Sequence, residues 1–257
     1  MNEYLGRAGS VPIGREESAL DPGLRRFMLG VYQKMALGLV WSAVLAYAVG
    51  TIAPVTQTVL TPPVLYIVQW GPLALLLGSN FFMRNASPTA SGALYWAIVT
   101  LMGAGLGVWV YLAVNAVGAE TVGGRTITVT FEAMAKAFLV TAASFGGLAL
   151  FGYTTKRNLS GLNSMLIMAT WGLVLIGVLN FFIFKSGMTE IIMQVATLVI
   201  FGLLVATQTN QLRESYYHLA NDGRGQAVMT NFGALNLYIA FVAIFQTLLS
   251  FMGGSRD

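Results

Sequence analysis

The chain has 257 residues, and only 9% of them are Asp, Glu, Lys or Arg, where a soluble globular domain averages about 25%. Apolar residues make up 56%, so too few charged side chains remain to cover a water-soluble domain of this length. The composition excludes a soluble fold and a disordered chain, and it predicts a membrane protein.

Seven apolar runs follow a polar amino-terminal segment. Each run is long enough to cross a hydrocarbon core of about 30 Å as a helix, and none alternates in polarity as a membrane β-strand does. We therefore predict an all-α, polytopic seven-transmembrane-helix bundle over residues 27–257, preceded by a polar cytoplasmic tail, residues 1–26. The runs cover residues 27–53, 64–83, 92–117, 131–153, 161–184, 188–209 and 227–252.

The distribution of Lys and Arg predicts the orientation in the membrane. Basic residues concentrate in the segments that share a side with the amino terminus, and the positive-inside rule assigns that side to the cytoplasm. In a bacterium the membrane would be the inner membrane. Seven crossings place the carboxyl terminus outside, whereas a seventh segment that dips and returns would place it inside. The segments on the amino-terminal side hold Arg7, Arg15, Arg25, Arg26, Arg84, Lys156, Arg157, Arg213 and Arg224, and the opposite segments hold Arg125, Lys185 and Arg256.

Several chemistries are excluded by residue type. The chain has no Cys and a single histidine, His218, so it lacks the side chains for a thiolate or multi-histidine metal site. It has no Gly-x-Ser-x-Gly elbow and no paired carboxylates within the apolar runs. Its basic residues are scattered rather than gathered on one face. We expect no enzyme activity, no cofactor, no resident metal and no nucleic-acid partner.

Four ionisable residues lie within the apolar runs, where a charge needs a physical reason. Lys34 lies about two turns inside the first run, and we expect its long side chain to reach the cytoplasmic interface. Glu132 and Lys136 are spaced i,i+4, which predicts a pair on one helix face. Glu190 suits the start of the sixth helix.

Small residues predict where helices approach closely in lipid. Gly103 and Gly107 form a Gly-x-x-x-Gly pair in the third run, and Gly146 and Gly147 follow a cluster of small residues in the fourth. We interpret these glycines as packing positions rather than as ligand sites.

Uncharged polar residues mark the last two runs and should face the bundle interior, because polar groups in hydrocarbon need partners. They could form hydrogen bonds between helices, or they could line a path for an ion or water. The sequence leaves both interpretations open. These residues are Thr207, Gln208, Thr209 and Asn210 in the sixth run, and Asn231, Asn236, Tyr238 and Gln246 in the seventh.

Three stretches resemble one known family, the transmembrane Bax inhibitor motif-containing family in its bacterial branch. They are the run from Phe151 to Gly161, which contains Tyr-Thr-Thr-Lys-Arg, the segment Asn210-Gln-Leu-Arg213, and the segment Gly233-Ala-Leu-Asn-Leu-Tyr238 before a long apolar helix. The order and spacing of these motifs extend the resemblance over nearly the whole chain.

The resemblance implies six helices around a central seventh, and a calcium leak gated by two buried aspartates that share a proton and contact an arginine. Two adjacent carboxylates cannot both ionise cheaply in a dry bundle. Aligned on the motifs, the two aspartate positions fall on Gln208 and Ala240, and Arg84 matches the arginine region. The latch-equivalent or pore-lining residues are then Gln208, Ala240, Asn210, Asn236 and Arg84, and calcium or another cation would meet only neutral oxygens.

The loss of the paired acids also resembles a second bacterial subgroup of this family. Its members lack the aspartate in the seventh helix, carry a similar Ser-Arg-Asp tail, and associate with a membrane-anchored AAA protease as substrate and modulator. The resemblance therefore implies two functions, a calcium leak without its pH latch, or modulation of a protease that grips residues 1–26.

Overall fold

The computed structural model describes residues 21–82, 87–120, 126–155, 157, 159–219 and 222–253. Within these residues the chain folds into eight α-helices, one π-helical turn and a short β-hairpin. The helices are α1 (Pro22–Thr51), α2 (Ala53–Val59), α3 (Val64–Phe82), α4 (Pro88–Asn115), α5 (Phe131–Thr154), α6 (Ser160–Leu179), α7 (Gly187–His218) and α8 (Gly223–Met252); the π turn is Asn180–Phe184, and the strands are β1 (Gly118–Glu120) and β2 (Thr126–Thr128).

The helices reproduce the seven predicted runs in order. Six of them, α1, α4, α5, α6 with its π turn, α7 and α8, are each long and apolar enough to cross a membrane. The second run falls on α3, which meets the short α2 at a bend of 62°, and this pair makes the seventh span when it is counted as one. The prediction of an all-α polytopic bundle is confirmed.

Side-chain caps explain where several helices begin. Asp21 accepts a hydrogen bond of 2.8 Å from the amide of Gly23, and Ser87 and Thr130 cap α4 and α5 in the same way, which satisfies amide groups that have no partner in the helix. Pro22 then occupies the first turn of α1, where a missing amide costs nothing. The first helix thus begins inside the segment predicted as tail, and residues 22–26 are helical.

Helix α8 lies at the centre of the bundle and packs against α1, α4, α5 and α7. Its most apolar stretch is 61% buried, compared with 11% for the corresponding stretch of α6 at the periphery. The implied arrangement around a central last helix is therefore confirmed.

The glycine prediction is half right. A Cβ on Gly103 would lie 2.7 Å from the Cα of Ser42, and one on Gly107 would lie 2.5 Å from the Cβ of Val49, so α1 and α4 pack too closely for larger side chains. A Cβ on Gly146 or Gly147 would have no neighbour within 4 Å. The prediction that these two glycines serve helix packing is wrong for the described chain, because they lie on a face of α5 that no other described residue approaches.

The two ends of the bundle differ. At one end, called here the α1 end, α1, α4, α6 and α8 begin and α3, α5 and α7 finish. At the other end the antiparallel β1–β2 hairpin pairs Gly118 with Thr128, and its Ile127 packs in a small cluster with Leu249 near the end of α8. The depth of a polar residue in α7 or α8 is given below as its distance along the helix from the α1 end.

Candidate functional site

The two positions where the family resemblance implies aspartates lie on neighbouring helices. Gly233 of α8 packs against Leu212 of α7. Because α7 and α8 are antiparallel and rise about 1.5 Å per residue, this register places Gln208 within about one turn of the level of Ala240. The two positions therefore lie at similar depths on neighbouring helices, and they carry an amide and a methyl group instead of two carboxyl groups.

Ala240 lies in the apolar core. It is 1% exposed, and the next residue, Phe241, packs edge-on against Phe138 and Phe145 of α5, with ring centroids 5.6 and 5.7 Å apart. An aromatic cluster of this kind fills the space around α8 with apolar surface. The surroundings of Ala240 are therefore those of an apolar core.

The polar residues of α7 form hydrogen bonds between helices. The Thr207 hydroxyl donates to Asn163 Oδ1 of α6 at 3.1 Å, and the Thr209 hydroxyl lies 3.4 Å from the Tyr32 hydroxyl of α1. Both threonines are fully buried. Of the two interpretations left open by the sequence, these contacts favour hydrogen bonding between helices.

The next turn of α7 binds the end of α5. Asn210 Nδ2 donates to the carbonyl of Gly152 at 3.3 Å, and Arg213 Nη1 donates to the carbonyl of Tyr153 at 2.6 Å. Carbonyls in the last turn of a helix have no partner within that helix, so these two side chains satisfy the end of α5. The approach is close, because a Cβ on Gly152 would collide with the main chain of Ala206.

Three buried side-chain oxygens of α7 remain without a donor among the described residues: Gln194 Oε1, Gln208 Oε1 and Asn210 Oδ1. Gln208 and Asn210 are the two of these that belong to the predicted site. A carbonyl can only accept a hydrogen bond, so the bond to Gly152 fixes the amide of Asn210 with its oxygen as the free atom. Because successive residues turn by about 100° around a helix, these two residues point about 160° apart and cannot share one ion.

Asn231 is the centre of a second polar cluster, at the α1 end of α8. Its Nδ2 donates to the carbonyl of Pro88 at 3.0 Å and to the hydroxyl of Ser91 at 2.7 Å, both in α4. Its Oδ1 accepts from the ammonium of Lys34 in α1, which also lies 5.3 Å from the ring centroid of Tyr95. One side chain thus joins three helices, and the aromatic ring adds a cation–π contact.

That Lys34 reaches the cytoplasmic interface stays a prediction. Its ammonium group bonds to Asn231, because α8 brings an amide oxygen within reach, and the Tyr95 hydroxyl donates to the main-chain carbonyl of Lys34 at 2.6 Å. The other charged predictions are confirmed. Lys136 Nζ lies 2.5 Å from Glu132 Oε1 on the surface, and Glu190 lies in the first turn of α7.

A third polar contact lies deeper in the bundle. The hydroxyls of Ser42 and Tyr238 lie 2.7 Å apart, and Ser42 also donates to the carbonyls of Gly38 and Val99 at 2.9 and 3.3 Å. Ser42 and Ser91 were missed as polar partners from sequence.

Two predicted site residues do not join these clusters. Asn236 is exposed on α8, so the expectation that it faces the interior is wrong, because the rotation of α8 turns this position away from its packed faces. Arg84 lies outside the described residues. Among the residues that the structure describes, His, Asp and Glu side chains nowhere gather in a group of three that could hold a metal ion.

The fold and these contacts define a class: a multi-pass helical membrane protein with a buried last helix and a neutral polar core. A family model described as inhibitor of apoptosis-promoting Bax1 matches residues 24–257. The chain therefore belongs to the Bax inhibitor-1-like family.

Three relatives are similar over most of their length. An uncharacterised protein of Caulobacter vibrioides is 42% identical over 267 aligned positions that span 100% of both chains. An uncharacterised protein of Rickettsia prowazekii is 30% identical over 94% of this chain and 95% of its own. The Escherichia coli inner membrane protein YbhL is 29% identical over 94% of this chain and 98% of its own.

Proposed function

We propose that this chain is an inner-membrane protein that lacks an acid-operated cation gate and acts as a partner of a membrane-anchored protease. The observation that carries the first part is the pair Gln208 and Ala240, of which the first is an amide and the second is 1% exposed in an apolar core. The Escherichia coli relative, named as an inner membrane protein, supports the location.

The chemistry of the pair supports the loss of gating. An amide and a methyl group neither bind nor release a proton in the range of ordinary pH, so protonation has no group to act on at this location. Divalent cations prefer carboxylate oxygens, and neither position supplies one. Thr207, Thr209 and Asn210 already bond to other helices, which leaves few atoms to bind a passing ion.

Flux through liposomes tests this part directly. Vesicles that contain the purified chain and a calcium dye should leak no faster than empty vesicles at pH 6 and at pH 8. Introducing both acids, Gln208→Asp with Ala240→Asp, should create a calcium flux that differs between the two pH values. The matched control combines Gln208→Asp with Asn236→Asp, which adds the same charge at an exposed position of α8 and should create no such difference. An acid-sensitive flux in the unmodified chain would contradict the proposal.

A second candidate function, a slow leak of calcium or another cation that does not depend on pH, is favoured by the buried oxygens of Gln208 and Asn210 that lack a donor. Gln208 is the better ligand of the two, because Arg213 lies one turn from Asn210 on the same face of α7 and repels cations. This candidate predicts a flux above that of empty vesicles, equal at pH 6 and pH 8, and lowered by Gln208→Leu.

The protease part of the proposal rests on the amino-terminal tail, of which residues 1–20 lie outside the described part of the chain. Deleting residues 2–20 keeps Asp21, which caps α1, so the bundle should keep its fold. We expect this deletion to abolish co-purification with the protease. The control replaces residues 2–20 by a Gly/Ser segment of equal length. If the protease still co-purifies with both the deletion variant and the Gly/Ser variant, a role for the tail is refuted.

A further inference from the structure

Two adjoining surface cavities open at the α1 end, with volumes of about 790 Å³ and about 460 Å³. Arg26 and Gly30 line both of them. The larger is also lined by Asp21, Arg25, Leu29 and Gln33, and the smaller extends from Arg26 toward the end of α7 and the start of α8.

The charge of the larger cavity is positive. Arg25 and Arg26 are both exposed, and within the described part of the chain neither guanidinium forms an ion pair. The nearby carboxylate of Asp21 accepts the amide of Gly23 as the cap of α1. Two adjacent guanidinium groups provide planar sets of donors suited to an anionic phosphate.

An exposed apolar stripe leads away from this pair along α1. Leu29, Leu37, Val40 and Val44 are 52%, 60%, 63% and 55% exposed, and their spacing of three, four or eight residues keeps them on one face of the helix. The exposed Gln33 interrupts this face once, between Leu29 and Leu37. No other described helix covers these side chains. The face therefore has a cationic end followed by a mostly apolar stretch. A phospholipid has its head group and acyl chain in the same order.

We propose that this face of α1 binds an anionic phospholipid, with its phosphate on Arg25 and Arg26 and an acyl chain along Leu29 and Leu37. The leaflet is the one at the α1 end, which the sequence predicts to be cytoplasmic. An acidic peptide would match the arginine pair but not the apolar stripe, which lies at the depth of the hydrocarbon. A free phosphate would match only the head-group part.

The test measures lipid binding to the full chain in detergent by native mass spectrometry, with dioleoyl phosphatidylglycerol, dioleoyl phosphatidylcholine and glycerol phosphate as probes. We expect retention of phosphatidylglycerol over phosphatidylcholine and no retention of glycerol phosphate. Arg26→Gln should weaken phosphatidylglycerol binding about fivefold, which is the contribution of a single basic residue at an anionic membrane surface. The double variant Arg25→Gln with Arg26→Gln should weaken binding further.

Arg157→Gln is the matched control, because Arg157 is also exposed and belongs to the segment between α5 and α6, and its removal should leave binding unchanged. Equal binding of the two lipids, or equal losses in the Arg26 and Arg157 variants, would overturn the proposed site. Retention of glycerol phosphate would overturn the part of the proposal that assigns a lipid. All three substitutions are at exposed positions, so each variant should elute as the folded chain.

Discussion

Removal of the Asn231 side chain should destabilise the bundle more than any other single truncation of a polar residue in α8. In Asn231→Ala the bonds to Pro88 and Ser91 and the bond from Lys34 are lost together. Two neutral hydrogen bonds within a membrane contribute about 0.6 to 1 kcal/mol each. The bond from Lys34 is charge-assisted, but the half-buried ammonium can take up water, so we count about 1 kcal/mol for it. The expected loss is about 2 to 3 kcal/mol.

The free energy of unfolding can be measured from reversible unfolding in mixed detergent micelles, followed by circular dichroism. Asn236→Ala is the matched control, because it removes the same side chain from the same helix at an exposed position and should change stability by less than about 0.5 kcal/mol. A double-mutant cycle with Lys34→Met then isolates the bond to the ammonium. If Asn231→Ala and Asn236→Ala have equal stabilities, the cluster does not hold α1, α4 and α8 together, and the reasoning is refuted.

Substitutions at four further positions test the close contacts of the bundle by the same unfolding measurement. Gly103→Ala should cost about 1 to 3 kcal/mol, because its Cβ meets the main chain of Ser42, whereas Gly147→Ala, with open space around it, should be neutral or stabilising by up to about 1 kcal/mol. Equal effects of these two substitutions would contradict the close packing. Tyr238→Phe should cost about 1 kcal/mol through the lost hydroxyl contact with Ser42, and no loss would show that this contact does not stabilise the core. Arg213→Ala should cost about 1 to 3 kcal/mol, because it leaves a main-chain carbonyl at the end of α5 without its donor; rescue by Arg213→Lys, which keeps a donor, would support this origin.

The sequence predicted the surface pair and the helix start correctly because both depend on residues within one or two turns. Glu132 and Lys136 are spaced to meet on any helix, whatever surrounds it, and Glu190 needs only the start of α7. The polar residues of the last two helices were predicted to need partners, but the sequence alone did not decide between partners on other helices and a polar path. Asn163, which accepts from Thr207, comes from a different helix and has no local signal.

The sequence by itself determined the membrane class, the order of the seven apolar runs along the chain, and the neutral residues at positions 208 and 240. These follow from composition, from the length of each apolar run and from residue identity, none of which depends on how the helices turn toward one another. Only the tertiary structure decided that Asn231 binds Lys34 inside the bundle while Asn236, five residues along the same helix, is exposed, and that Gly103 is packed while Gly147 is not. The rotation and depth of each helix set these outcomes, because residues of one type differ in their surroundings according to the face and the level of the helix at which they lie.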